Sequence, residues 1–386
     1  MTRTPIILHD FQSQRPDHHA DQGAILDWIA AAHTQAEWTL RQPASEAERE
    51  AIRRKVTKLV LRFGCSTDRI STRNAFLDDF THLDWDRMRI FQLRRHPSGL
   101  PCAERSRFFR EISQRAFERY YGPGAEPPAV LIHVTCTGYV APSGAQRTVA
   151  ARDWGRSTEV VHAYHMGCYA ALPAIRIAAG FLERGKARVD LVHTELCTLH
   201  LDPSQHLPEQ LVVQTLFADG VIRYSACAPT AGSPVPRGLE LVATREEIVP
   251  GTEDAMTWMV SSFGMQMTLS RQVPDHIRAG LGGVLERMAA GAGLTAAQLC
   301  GQALFAIHPG GPRIIDEIAG HLGLHPAQVQ ASNAILRNHG NMSSATLPHV
   351  WQAILEDPAA APGTLVVALA VGPGLTISGA LLRKTG

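Results

Sequence analysis

Residues 160–180 read VVHAYHMGCYAALPAIRIAAG, and the rest of the chain is organised around them. Val160 to Met166 is an apolar run predicted as a buried strand. Gly167 turns the chain, and Cys168 opens a second apolar run, Tyr169 to Phe181, predicted as a buried helix. A thiol so placed stands at a helix N-terminus, where free N–H groups and the macrodipole favour the thiolate. Glycine at 167 permits the tight turn that presents the sulfur to a ligand. The same residues also suit an inert core cysteine, so the remaining sequence has to decide.

The 386 residues can form a large core, in two domains or one double-sized domain. A net charge of +1 gives no electrostatic footprint for nucleic acid. No apolar run reaches membrane-spanning length, and Met1 to Gln14 lacks the composition of a signal peptide. Cysteines stand at 65, 102, 136, 168, 197, 227 and 300, an odd number with no C-x-x-C spacing. That usage fits reduced thiols in a cytoplasmic protein.

Strands alternate with helices along the chain, which predicts an α/β fold. Pro5 to His9 reads as a strand, Asp21 to Ala32 as a helix, and Ser45-Glu46-Ala47-Glu48 as a capping box opening a helix to Arg62. That helix and its exit carry Lys55, Lys58, Arg62 and Arg69, either a solvated basic face or a grip for a phosphate-bearing substrate tail. Pro101 to Tyr121 reads as an amphipathic helix. Ala129 to Thr137 reads as a central strand ending in small polar residues, where α/β folds place ligand sites. A strand is expected at Leu191 to Leu201, a helix at Glu209 to Phe217 and a strand at Val221 to Cys227. Ala228 to Gly238 (APTAGSPVPRG) punctuates the midpoint and divides the chain into expected halves, 1–235 and 236–386. Beyond it, strands are expected at Leu239 to Ile248, Thr257 to Leu269, Leu304 to Ile307, Thr364 to Val371 and Leu375 to Leu382. Helices are expected at 274–290, 295–300, 311–320, 327–337 and 343–355.

Two further stretches carry chemistry. His308 leaves an apolar strand into Pro309-Gly310-Gly311-Pro312, and Asn341 follows Gly340 at the head of an apolar helix. A histidine there can be structural, and an asparagine there can be an N-cap. Together with Cys168 they offer a thiol, an imidazole that could lower its pKa, and two N–H donors for an oxyanion or enolate. Cys-His-Asn is also the papain order, but the papain flanking sequence is missing.

In combination, GCYAALPAIRIA at 167–178, LFADG at 216–220, HPGGPRIID at 308–316, GNMSSAT at 340–346 and VGPGLT at 371–376 resemble the type III polyketide synthases, the chalcone-synthase-like branch of the thiolase-fold condensing enzymes. The resemblance is strong from Ala129 onward and weak over Pro5 to Tyr121. It implies a five-layered αβαβα fold with two structurally similar halves, a homodimer, and no cofactor or metal. Cys168 would take an acyl group from an acyl-CoA starter. His308 would stabilise its thiolate, and His308 with Asn341 would bind malonyl-CoA and hold the enolate left by decarboxylation. Phe217 matches a gatekeeper between substrate tunnel and cavity, and Gly372-Pro373-Gly374 with Leu375 matches a cavity-shaping loop. Thr137 and Ser343 are expected beside the substrate, and Gly310 beside coenzyme A.

By the same resemblance, Met267 replaces a second gatekeeper Phe and Trp258 a cavity Gly. His200 and Cys197 replace cavity Thr residues, and Ala141 replaces the Met lent across the dimer. Trp258 and His200 would narrow or redirect the cavity, while Ala141 and Cys197 would open a side tunnel. These changes argue against a cinnamoyl starter and for a long acyl starter giving a resorcinol, phloroglucinol or pyrone. The alternative is an enzyme like β-ketoacyl synthase III, with a single condensation or acyl transfer and an acyl carrier protein as donor. A non-catalytic acyl-binding protein is disfavoured by the intact Cys168, His308 and Asn341.

Overall fold

The computed structural model describes residues 4–230 and 232–386. Ala231, within the midpoint punctuation, and residues 1–3, within the stretch read against a signal peptide, lie outside the described residues. In chain order the strands are β1 (Ile7–Gln14), β2 (His18–Asp21), β3 (Thr72–Ala75), β4 (Val130–Thr135), β5 (Glu159–Tyr164), β6 (Arg188–Leu196), β7 (Asp219–Cys227), β8 (Gly238–Ile248), β9 (Met256–Ser261), β10 (Gly264–Leu269), β11 (Leu304–Ile307), β12 (Leu365–Gly372) and β13 (Thr376–Thr385). The helices are α1 (Gln22–Arg41), α2 (Glu46–Phe63), α3 (Cys102–Tyr120), α4 (Gly144–Ala151), α5 (Ala171–Glu183), α6 (Pro208–Leu216), α7 (Val273–Ala290), α8 (Ala296–Gln302), α9 (Pro312–Leu322), α10 (Gln330–His339) and α11 (Thr346–Glu356).

Nine strands form one mixed sheet in the order β11-β12-β13-β8-β1-β7-β6-β4-β5. From β4 through β6 and β7 to β1 the pairings run parallel, antiparallel, antiparallel. From β11 through β12 and β13 to β8 they run the same way. The two sets meet where Ile7 to His9 of β1 pairs with Gly238 to Glu240 of β8. Strand β4, flanked by parallel neighbours and buried along its whole length, reads VLIHVT, nearly all apolar as such strands must be.

Helices α5 and α11 share one core. Leu172, Ile175 and Ala178 of α5 belong to the same buried cluster as Leu347, Val350, Trp351 and Ile354 of α11, with strand residues Ile132, Leu191 and Ala368. Both helices are therefore apolar well beyond one stripe. A second core lies under α1, α2 and α3, where Trp28 meets Phe80, Trp85 and Phe91 edge-on or tilted.

Several expected elements are corrected. The single strand over Thr257 to Leu269 is the hairpin β9–β10, with Met267 opposite Trp258. It folds back at Ser262-Phe263, where Gly264 takes φ 137° and accepts from Ser261 Oγ. Strand β6 stops at Leu196 because the next residues turn in a 3-10 helix, with Asp219 accepting from both the N–H and the hydroxyl of Thr198. The helix expected at 327–337 is a 3-10 turn followed by α10. Helix α1 runs on to Arg41. Ser45 does accept from Glu48 N–H, but Glu48 takes the N–H of Ala44 rather than of Ser45, so the box is not closed. Strands β2 and β3 and helix α4 are unforeseen. The last is signalled by Ser143 and Gln146, which do form a reciprocal capping box.

Candidate active site

The strand–turn–helix unit around Cys168 forms, but the strand expected to be buried, β5, is a half-exposed edge strand in which only Ala163 is buried, because it has a neighbour on one side alone. The turn after it is set by backbone and sulfur. His165 (φ 60°) and Gly167 (φ 87°) both lie in the left-handed region. A Cβ at Gly167 would stand 2.6 Å from Pro373 Cδ, so only glycine lets the Gly372-Pro373-Gly374 loop approach. Gly372 is equally constrained, since a Cβ there would meet the Tyr169 ring at 2.0 Å. Cys136 Sγ accepts from Gly167 N–H at 3.0 Å and faces its carbonyl at 3.2 Å, clamping the residue before the nucleophile.

Cys168 is buried, and its sulfur faces Ser343 Oγ at 3.9 Å. The Asn341 amide also faces it, favouring the thiolate. Asn341 itself is held by its backbone, which pairs with Phe217 through Asn341 N–H to Leu216 O at 3.0 Å and Ala218 N–H to Asn341 O at 2.8 Å. Its Oδ1 accepts from Ser343 N–H at 2.9 Å. Asn341 is therefore not the N-cap of α11, which is Ala345; its side-chain oxygen closes a local turn two residues on, and its Nδ2 group is buried without a nitrogen or oxygen partner. His308 leaves β11 with its N–H bonded to Leu369 O, and both ring nitrogens are buried without partners. No hydrogen bond joins it to Cys168.

The expected activated thiolate is corrected. Cys168 precedes the α5 N-cap, Ala170, and burial pushes its thiol up to about 12, against smaller favourable contributions from Ser343 and Asn341. Burial alone pulls His308 down to about 3, so it supplies no cation to the thiol in this state. Each charge alone is disfavoured here.

Two cavities meet at this site. A space of about 10 Å³ touches Cys168 and is lined by Cys136, Thr137, Cys197, Ser343 and Pro373, among others. A cavity of about 280 Å³ lies beyond it. Phe217, Met267, Trp258 and Cys197 line both, and so form the wall between them. His200 lines only the larger one. Trp258 is fixed by donating from Nε1 to Cys136 O at 2.8 Å. His200 is fixed too: Nε2 meets Thr137 O at 2.9 Å and Nδ1 accepts from Met265 N–H at 3.1 Å. These two tie the β9–β10 hairpin across the cavity mouth, while Met267 and Phe217 make no side-chain bond.

Other expected residues lie apart. Lys55, Lys58, Arg62, Arg69 and Gly310 line neither cavity. Arg69 pairs with Asp316 at 3.2 Å and Arg62 stacks on Phe63. Ala141 is exposed, and Leu375 is buried beside the loop without reaching either cavity. Sequence reading missed Cys136 as a clamp and Glu195 altogether. The Glu195 carboxyl accepts from Cys136 N–H at 3.0 Å, Thr137 Oγ at 2.7 Å and Ser344 Oγ. An acidic residue inside an apolar strand, DLVHTEL, was the available signal.

Residues 240–385 match the family of chalcone and stilbene synthases, C-terminal domain. The chain is 28% identical over 284 residues to type III polyketide synthase C of Arabidopsis thaliana, covering 71% of this chain and 73% of that one. It is 29% identical over 299 residues to an alpha-pyrone synthesis polyketide synthase-like protein of Mycobacterium tuberculosis, covering 77% and 72%. In fold it resembles the 1,3,6,8-tetrahydroxynaphthalene synthase of Streptomyces coelicolor, with a TM-score of 0.78 at 22% identity over 98% of this chain and 99% of that one. The mixed sheet with its two buried helices is thus the thiolase-like αβαβα architecture. No helix among the described residues is long and apolar enough to cross a membrane. Residues 240–385 thus match the C-terminal domain of the chalcone and stilbene synthases, and the chain is similar over about three quarters of its length to type III polyketide synthases, acyltransferase-type enzymes that make polyketides.

Proposed function

We propose that the chain performs a decarboxylative Claisen condensation of malonyl-CoA onto an acyl group held on Cys168. The observation that carries this reading is the set of buried donors without nitrogen or oxygen partners. The ring nitrogens of His308 are buried without a hydrogen-bond partner, and Asn341 Nδ2 faces only the weak acceptor Cys168 Sγ, although an unpaired buried polar group costs about 1–3 kcal/mol. A thioester oxygen arriving between them would satisfy both.

The Cys168 proton passes to His308 as the starter binds, an ion pair compensating charges that burial disfavours singly. The thiolate attacks the starter thioester carbonyl, the carbon–sulfur bond to coenzyme A breaks, and the imidazolium returns its proton to the departing thiolate. Malonyl-CoA then places its thioester oxygen against His308 and Asn341. Its carboxylate leaves as carbon dioxide, and the bonding pair becomes an enolate held by the two N–H groups. The enolate carbon attacks the acyl thioester, a carbon–carbon bond forms, and Cys168 leaves as thiolate. No cofactor or metal takes part.

The starter acyl chain occupies the larger cavity, reached by displacing Phe217 and Met267 while Trp258 and His200 stay fixed. At about 280 Å³ that cavity lies near the lower end for a small-molecule site. The proposed product comes from a long acyl starter, extended and cyclised to a resorcinol, phloroglucinol or pyrone, a reading supported by the second cavity beyond the wall of Phe217 and Met267. The second reading, one condensation or an acyl transfer with an acyl carrier protein as donor, draws support from the roughly one-water space beside Cys168. The half-exposed edge strand β5 is the expected seam of a homodimer. Seven free cysteines suit a cytoplasmic setting.

Mass spectrometry of products from malonyl-CoA and acyl-CoA starters of graded length tests both readings. Cyclised products extended more than once support the first. One-step products support the second, and a Cys168→Gln protein that still condenses overturns both.

A further inference from the structure

Glu195 is one end of a hydrogen-bond chain that the mechanism above does not use. Ser344 Oγ donates to Glu195 Oε1. Ser344 Oγ also meets His193 Nδ1 at 3.1 Å, and His193 Nε2 meets Tyr224 OH at 3.2 Å. All four residues are fully buried. The direction of the chain follows from counting protons. When Glu195 is ionised, as it is above its raised pKa of about 7, it takes the one hydroxyl hydrogen of Ser344, so His193 Nδ1 is the donor to Ser344. A neutral imidazole has only one N–H, so Nε2 accepts from the Tyr224 hydroxyl. Burial pulls His193 down to about 3, which keeps it neutral as this requires.

The chain ends where the nucleophile is held. Glu195 accepts from Cys136 N–H and Thr137 Oγ, and Cys136 Sγ clamps the Gly167 peptide ahead of Cys168. Ser344 follows Ser343, whose hydroxyl faces the Cys168 sulfur. Glu195 thus joins the turn from one half of the molecule to the turn from the other. The titratable groups around it are the thiols of Cys136, Cys168 and Cys197, with His133 and His349 beside His193. Burial raises Glu195 to about 7.

We propose that His193 is a positioning residue for Cys168: with its tautomer set by Tyr224, it orients Ser344 toward Glu195, and Glu195 holds both turns of the site in register. The inference rests on the proposed condensation only where turnover is read, because thiol alkylation reports on Cys168 directly.

The test contrasts two amides. His193→Asn keeps an N–H donor where Nδ1 stands, whereas His193→Gln offers one only where Nε2 stands. We expect His193→Gln to lower kcat about tenfold with KM for malonyl-CoA little changed, and His193→Asn to restore it to within about threefold. Iodoacetamide labelling of Cys168, followed by peptide mass spectrometry against pH, should show the same contrast. Glu195→Gln should move that labelling profile to lower pH, because a buried carboxylate beside a thiol opposes the thiolate. Tyr224→Phe, which keeps the ring and loses only the hydroxyl, should show the His193→Gln pattern at smaller size, and serves if the histidine variants fail to fold. Equal behaviour of the Asn and Gln variants, an unmoved profile in Glu195→Gln, or a Tyr224→Phe protein identical to the parent would each overturn the proposal. A protein that shows the labelling contrast but condenses nothing would instead refute the proposed function alone.

Discussion

The turn entering α5 and the turn entering α11 are counterparts that have taken different chemistry. Each leads into a helix buried in the same core. Each bends through two residues of positive φ, His165 (60°) and Gly167 (87°) in one, Gly340 (74°) and Ser343 (49°) in the other. The first presents a sulfur and is held by a second sulfur, Cys136. The second presents amide and hydroxyl groups and is held by backbone bonds to Leu216 and Ala218. A repeated architecture brings equivalent turns face to face. Nucleophile and donors therefore sit on separate chain segments, and one can be altered without dismantling the other.

The largest expected effects separate the two turns. Cys168→Ala should lower condensation at least about a thousandfold, because it removes the thiol that Ser343 and Asn341 face. Intact-protein mass spectrometry should show no acyl adduct from the starter. Asn341→Asp should do the converse. Its retained side-chain oxygen still accepts from Ser343 N–H, but it offers no N–H to an enolate. Malonyl-CoA decarboxylation should fall about 10²–10³-fold while Cys168 still acylates. Loss of acylation in Asn341→Asp, matching that of Cys168→Ala, would break the division of labour.

Acid tests both halves at once. His33, His133, His193 and His200 in the first, and His308 and His349 in the second, are held by burial at about 3 to 4, against 6.5 for an exposed imidazole. Between those values the unfolded chain binds more protons, so stability is full above pH 6.5 and is lost as pH falls toward 4. Glu195, raised to about 7, and Asp219, raised to about 6, act oppositely: they favour the folded state at low pH and lose that contribution as pH rises through those values. Six imidazoles outweigh two carboxyls, so the net loss on acidification should reach several kcal/mol. Thermal melts from pH 7 to pH 4 should show a falling Tm, and a flat profile would contradict the buried neutral histidines.

Much of this was readable beforehand, for identifiable reasons. The Cys168 unit announced itself because the strand and the buried helix both write apolar runs, and glycine at 167 marked the turn. That the strand is a half-exposed edge was not legible, since its apolar run reads like that of a buried one. The αβαβα architecture and the resemblance to type III polyketide synthases followed from motifs clustered at element ends. The charge state was not readable: a thiol near a helix start reads as activated, but burial, a tertiary property, dominates at Cys168 and His308. The β9–β10 hairpin was missed because its turn, Ser262-Phe263, carries an aromatic residue that continues the apolar run. Glu195 was missed because its partners, Cys136 and Ser344, are distant in sequence. The β2–β3 pair failed for the same reason, with loop closure over about fifty residues leaving no local signal.

The smallest effects probe the backbone of the two turns. Gly167→Ala places a Cβ in a left-handed conformation and 2.6 Å from Pro373 Cδ, so it should destabilise the protein by about 1–3 kcal/mol and slow acylation of Cys168. Ser343→Gly goes the other way. Serine already holds φ 49°, a conformation that disfavours L-residues by roughly 1–2 kcal/mol, so glycine relieves strain while loosening the unfolded chain. The two contributions nearly cancel, and the urea midpoint should move by no more than about 0.5 kcal/mol in equivalent stability. What Ser343→Gly does remove is the hydroxyl facing the Cys168 sulfur, which favours the thiolate. Labelling of Cys168 should therefore require higher pH although stability is unchanged. If Ser343→Gly instead destabilised the fold as much as Gly167→Ala, the second turn would be held by its serine as the first is by its glycine, and the contrast between them would be one of chemistry alone.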